Sequence, residues 1–234
     1  MVDKTSGDYY EVTGGATLKG SVRISGSKNA SLPVMAASIL AGADVELRNV
    51  PRLRDVSTMV DVLTNLGASV NVDANTFHIK TADISNYETS FELMNRMRAS
   101  IYVMGPLLAR FGRAKAALPG GCAIGARPID YHMAGFEKMG VQTKLDHGFI
   151  DARCNRLKGA KIYLDFPSVG ATANLMMAAV LAEGTTVIEN AAQEPHIQDL
   201  AWFLKSLGGR INGAGSRTIS INGISKLHGA SHQM

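Results

Sequence analysis

What most restricts how this chain can fold is that it repeats. The pairs Leu66-Gly67, Met139-Gly140 and Leu207-Gly208 each close a helical stretch, with glycine at the C-terminal stop. The glycines lie 73 and 68 residues apart, a unit longer than most solenoid repeats. Upstream in each unit runs a second helix, at residues 30–41, 99–109 and 171–182, rich in Ala, Leu and Met with almost no charge. A helix that is apolar on every side belongs in a core. The partner helices, as at residues 55–66 and 195–207, are amphipathic. Alternating segments at 45–50, 70–72, 77–79, 185–189 and 217–221 read as strands. The unit is therefore strand, buried helix, strand, surface helix, hairpin. Three such units pooling their apolar helices predict one pseudo-threefold α/β (α+β) domain.

Composition narrows the function classes. The net charge of +4 is mild and aromatic residues make up only 6% of the chain, too few for base-stacking platforms, so no nucleic-acid partner is expected. No apolar run approaches the 18 or so residues of a membrane span, so no membrane partner is expected. The first residues lack the apolar core of a secretory signal. Two cysteines in unlike settings do not make a disulfide framework, and a reducing cytoplasmic location is expected.

Chemistry concentrates in two places. The buried helices open at Ser27-Lys28-Asn29-Ala30, Met97-Arg98-Ala99-Ser100 and Ser168-Val169-Gly170-Ala171-Thr172. Helix N-termini carry unpaired N–H groups and a positive dipole, and two of these also carry a cation, so together they suit an anion. The second place is Pro119-Gly120-Gly121-Cys122-Ala123-Ile124-Gly125-Ala126-Arg127-Pro128-Ile129-Asp130. Three glycines free the backbone for close approach to a ligand. Pro128 reads as the first residue of a helix. A guanidinium and a helix start beside Cys122 favour its thiolate, which is expected to titrate below the free value of about 8.5.

Taken together, Gly26-Ser27-Lys28-Asn29-Ala30, Met97-Arg98-Ala99-Ser100-Ile101, Pro119-Gly120-Gly121-Cys122 with Gly125-Ala126-Arg127-Pro128, and Ser168-Val169-Gly170-Ala171-Thr172 resemble the enolpyruvyl transferases, in their UDP-N-acetylglucosamine 1-carboxyvinyltransferase branch. The resemblance runs over about residues 10–230. It implies an inside-out α/β barrel of three repeats, with helices inside and sheets outside, in agreement with the repeat above. It implies transfer of the enolpyruvyl group of phosphoenolpyruvate to the 3-hydroxyl of UDP-N-acetylglucosamine, releasing phosphate in the first committed step of peptidoglycan synthesis. No metal or organic cofactor is implied. Cys122 resembles the cysteine that protonates the phosphoenolpyruvate methylene and is alkylated by fosfomycin. Lys28, Asn29 and Arg127 resemble residues that hold phosphoenolpyruvate. Arg98, Arg127, Pro128, Ile129, Asp130, Tyr131, Ser168, Val169 and Gly170 resemble contacts to the UDP-sugar. The shikimate-pathway transferase shares the fold but lacks this cysteine.

Two departures stand out. Phe166 and Pro167 precede Ser168 where some members carry a lysine, which removes a charged contact to the nucleotide. Family members are also nearly twice as long. By resemblance, residues 1–21 belong to a second domain and residues 22–228 form the catalytic-cysteine domain, with repeats at about 22–82, 90–154 and 157–224 and a tail at 229–234. The missing C-terminal domain would supply the aspartate that deprotonates the sugar hydroxyl, so little or no turnover is expected from this chain alone. The alternative is a non-catalytic half that binds a nucleotide sugar or regulates a partner. Cys154 reads as structural, Glu194 as a helix-capping carboxylate and the methionines as core filler. His228 and His232 fall in the expected tail, and the six histidines form no metal constellation.

Overall fold

The computed structural model describes residues 11–90, 92–93, 97–117 and 129–234, with only the backbone at 98–100 and 146. Three inner helical rods form the centre. Each is buried along most of its length, at residues 30–41, 103–108 and 171–180. The first is α1 (Lys28–Ala37), continued by a 3-10 turn over Ser38–Ala41. The second begins as a 3-10 segment over Arg98–Val103 and becomes α3 (Met104–Phe111). A single helix was expected there. Pro106 has no N–H to donate, so the α-helical ladder restarts at Met104, where proline fits the first turn. The third is α5 (Val169–Ala179), in which every residue from Ala171 to Ala179 is buried.

Outside these lie the amphipathic helices α2 (Arg54–Asn65), α4 (Asp130–Lys138) and α6 (Pro195–Ser206). Each ends the same way, at the three residue pairs that mark the repeat. Gly67, Gly140 and Gly208 take positive φ of 105°, 89° and 105°. Their N–H groups donate to Thr64, Glu137 and Lys205, and the next N–H reaches back to Leu63, Phe136 and Leu204, all at 2.8–3.0 Å. This is a Schellman closure three times over. The preceding Leu66, Met139 and Leu207 are fully buried.

Three open sheets cover the helices; no closed barrel forms among the described residues. In the first, β11 (Ser231–Gln233), β1 (Asp44–Arg48), β3 (Thr76–Lys80) and β2 (Ser69–Asp73) lie in that order. The third repeats it with β7 (Lys161–Tyr163), β8 (Thr185–Glu189), β10 (Thr218–Asn222) and β9 (Arg210–Asn212). The second has β4 (Arg113–Ala117), β6 (Phe149–Arg153) and β5 (Gln142–Asp146), and a parallel bridge from Glu88 to Lys115 stands in the fourth position.

The expected tail at 229–234 is thus a correction. Its strand β11 runs parallel to β1, as β7 runs parallel to β8. Equivalent asparagines clasp both strands: Asn190 Nδ2 donates to the Leu164 carbonyl at 2.8 Å, and Asn49 Nδ2 to that of Met234 at 3.3 Å. Both asparagines sit at left-handed φ, 55° and 57°. Residues 11–25 form no strand and are exposed, Leu18 at 94%. With the site opposite β1 taken by β11, that segment has no place in the first sheet.

Candidate active site

Arg110, near the end of α3, donates from Nη1 to the Ile39 carbonyl at 3.1 Å and to that of Thr81 at 2.6 Å. The first and second rods are therefore level at that end. Stepping back the same number of residues along each puts Lys28 level with the Arg98 region, because the rods run parallel. Asn174 of α5 hydrogen bonds around residues 101–105, which sets the start of α5 at this end too. Three helix starts thus share one end of the domain.

Their surroundings differ in ways the sequence does not show. Ser168 caps α5, its hydroxyl accepting from the Ala171 N–H at 3.3 Å. Ser27 makes no such side-chain cap, and Glu194 does not cap α6 with its carboxylate. Pro195 at the first position of α6 leaves one fewer unpaired N–H at that helix start. Lys28 Nζ pairs with Asp55 in the first turn of α2 at 2.9 Å. That carboxylate went unnoticed in the sequence, although its place at the start of an amphipathic helix was visible. Both side chains are substantially exposed, so the pair contributes at most about 1 kcal/mol. Asp55→Ala is expected to shift urea unfolding by less than that while leaving Lys28 free for an anion.

A second residue unremarked in the sequence organises the site. Asn174 is buried, and its Oδ1 accepts from the Gly105 N–H at 2.7 Å. A backbone N–H can only donate, which fixes the orientation of the amide. Both Nδ2 protons then point outward, one to the Ile101 carbonyl at 2.9 Å and one to His132 Nδ1 at 3.0 Å. His132 is therefore neutral, with its proton on Nε2. Burial pushes its pKa down to about 4. A side chain on Gly170 would meet His132 Nε2 at 3.1 Å, so glycine there lets α5 approach α4. One amide thus ties together the second rod, the start of α4 and the middle of α5.

Of the residues expected at the site, Lys28, Asn29 and Asp130 are exposed, while Ile129, Tyr131, Ser168, Val169 and Gly170 are partly buried. His132, next to Tyr131 in sequence, lies against Gly170 and bonds to Asn174, which brings the starts of α4 and α5 together. Arg98 opens the second rod, and its side chain lies outside what is described. Cys122, Arg127 and Pro128 also lie outside the described residues. In sequence they fall between β4 and α4. Gly67 and Gly208 each follow the end of β1 and β8 by 19 residues, whereas Gly140 follows the end of β4 by 23. The cysteine stretch falls where the second unit is longer than its two counterparts. Phe166, in the position of an expected nucleotide contact, is 62% exposed. Among the described residues, no group of three His, Cys, Asp or Glu side chains is placed to hold a metal. No described helix is long and apolar enough to cross a membrane.

The family profile for EPSP synthase (3-phosphoshikimate 1-carboxyvinyltransferase) matches residues 12–234. The chain is 54% identical over 225 residues to UDP-N-acetylglucosamine 1-carboxyvinyltransferase 2 of Carboxydothermus hydrogenoformans, covering 96% of this chain and 54% of that protein. It is 50% identical over 232 residues to the UDP-N-acetylglucosamine 1-carboxyvinyltransferase of Gloeobacter violaceus, covering 99% of this chain and 50% of that one. Among solved structures, the enolpyruvyl transferase NikO from Streptomyces tendae matches 94% of this chain and 52% of its own, with a TM-score of 0.81 and 26% identity. EPSP synthase from Acinetobacter baumannii, at 19% identity and a TM-score of 0.71, shares the fold. The chain spans about half the length of the curated relatives it matches.

Proposed function

The chain belongs to the EPSP synthase family of enolpyruvyl transferases, and from that premise we propose that it is the cysteine-bearing half of a UDP-N-acetylglucosamine 1-carboxyvinyltransferase. The observation that carries this reading is the shared level of the three inner helix starts, two of them opening at Lys28 and Arg98. Phosphoenolpyruvate is a small polyanion, and such an end offers it dipoles, unpaired N–H groups and cations together. Lys28, Asn29 and Arg127 hold its carboxylate and phosphate. Ile129, Asp130 and Tyr131, with Ser168, Val169 and Gly170, take the nucleotide sugar on the surface that Asn174 and His132 organise. Arg98 and Pro128 line the same cleft.

In this reading Cys122 is the general acid. Its thiol proton goes to the methylene carbon of phosphoenolpyruvate as the sugar 3-hydroxyl attacks the adjacent carbon. The hydroxyl proton leaves to a base, and phosphate departs as the new methyl group returns a proton. A thiol whose pKa lies near working pH suits this exchange, which contributes roughly 10²- to 10⁴-fold. In the family the hydroxyl base lies in the other half of the enzyme, so turnover requires that half as well. Substrate binding does not, and calorimetry with UDP-N-acetylglucosamine should register heat with this chain.

Fosfomycin followed by peptide mass mapping tests the assignment of the thiol. One adduct is expected, on Cys122. Cys154 is half-buried and burial raises its pKa, so it should stay unmodified. Labelling of Cys154 in preference to Cys122 would overturn the reading.

A further inference from the structure

At the opposite end of the second rod from Arg98 lies a cleft of about 700 Å³. It starts at Gly112, the left-handed residue after α3, and runs under the ends of β4, β5 and β6. Arg113, Arg153, Arg156 and Lys158 line it, and no carboxylate does among the described lining residues. The run from residue 98 to residue 112 separates it from the helix starts by about 20 Å.

Three of the four cations have side-chain partners. Asp151 grips Arg153 through two oxygens, and Glu183 pairs with Arg156 at 2.7 Å. Arg113 stacks on the Tyr87 ring at 4.2 Å and donates from Nη1 to its hydroxyl at 2.7 Å, while its buried Nε has no partner among the described residues. Among the described residues no carboxylate pairs with Lys158, which is exposed at the cleft. A solvated charged face scatters its lysines and arginines. Here the two neutralising carboxylates, Asp151 and Glu183, are not among the described residues that line the cleft.

We infer that this cleft binds a phosphorylated small molecule at a site distinct from the helix-end surface. Guanidinium groups match phosphate oxygens bidentately, and with Arg153 and Arg156 already paired to carboxylates, Arg113 and Lys158 leave about two positive charges for a ligand to meet. The volume lies within the range of small-molecule pockets, which favours a metabolite over a macromolecule. This inference does not rest on the proposed transferase reaction.

Cys154 lines the same cleft and provides a local reporter. Pyrophosphate should slow alkylation of Cys154 by iodoacetamide saturably, with peptide mapping separating it from Cys122. Lys158→Glu should weaken that protection by about tenfold, the value of one charge-assisted contact. Lys28→Ala should leave it intact. Several outcomes would overturn the assignment: no saturable protection, equal protection by sodium chloride at matched ionic strength, full protection in Lys158→Glu, or loss of protection in Lys28→Ala. Circular dichroism of each variant separates a folding defect from a binding one, and Arg156→Gln repeats the test should Lys158→Glu not fold.

Discussion

Removing residues 229–234 is expected to lower the unfolding free energy by on the order of 5 kcal/mol, one unit for each of about five hydrogen bonds lost. The Glu46 N–H loses the Ala230 carbonyl, and the Arg48 carbonyl loses the Met234 N–H. Asn49 loses its acceptor on Met234, and Glu46 loses the Ser231 hydroxyl. Asp199 loses His232 Nε2, which sits at 2.9 Å with the His232 ring against Phe203. Such a loss is a large share of the stability of a domain this size. Urea denaturation of the shortened chain beside the full one measures it. A loss below about 1 kcal/mol would mean that β11 only rests on the sheet. Asn49→Ala should cost about 2 kcal/mol, about one for the bond of the clasp and about one for an alanine held at a φ of 57°.

Acidification from neutral pH towards pH 4 is expected to remove roughly 3 kcal/mol through His132 alone, at about 1.4 kcal/mol per unit. Its folded pKa, about 4, lies below the ordinary 6.5 because the ring is buried. In that window the unfolded chain takes up a proton that the folded chain refuses. The stability is complete above pH 6.5 and declines as pH falls towards 4. Protonation would also place an N–H on Nδ1 against Asn174 Nδ2, breaking the contact that joins α4 to α5. Carboxylates held low by arginine, Asp151 by Arg153 and Glu46 by Arg48, act in the same direction but only at more acidic pH. Unfolding measured from pH 7 to 4.5 should therefore slope in the native chain and flatten in His132→Gln. Equal slopes in the two would show that another group carries the acid sensitivity.

Both effects come from residues whose sequence context is unremarkable. His132 lies in a short helix of mixed character, and Asn174 is the one amide in an apolar run of Ala, Leu and Met. A buried amide in such a run signals that something must satisfy it, yet the sequence does not name the partners. Asp55 is similar: its place in the first turn of α2 suits the dipole, and only the fold shows that Lys28 meets it. The repeat, by contrast, was readable at the level of individual residues. The three Leu-Gly or Met-Gly pairs stop three helices by the same two hydrogen bonds, and the strand at 185–189 has the expected limits.

The sequence by itself determined the local elements, because helix stops, apolar periodicity and alternating strands depend on residues within a turn or two of one another. It also pointed to candidate chemistry, in the motifs that open the inner helices and in a cysteine stretch that lies outside the described residues. Only the tertiary structure decided which segment fills the fourth place in each sheet. Residues 11–25 and 229–234 are both short and weakly patterned, and backbone pairing does not depend on side-chain identity. The same holds for the polar contacts of Lys28, Asn174 and His232. Each joins residues at least 27 positions apart, and a hydrogen bond across that separation is set by packing that no local pattern encodes.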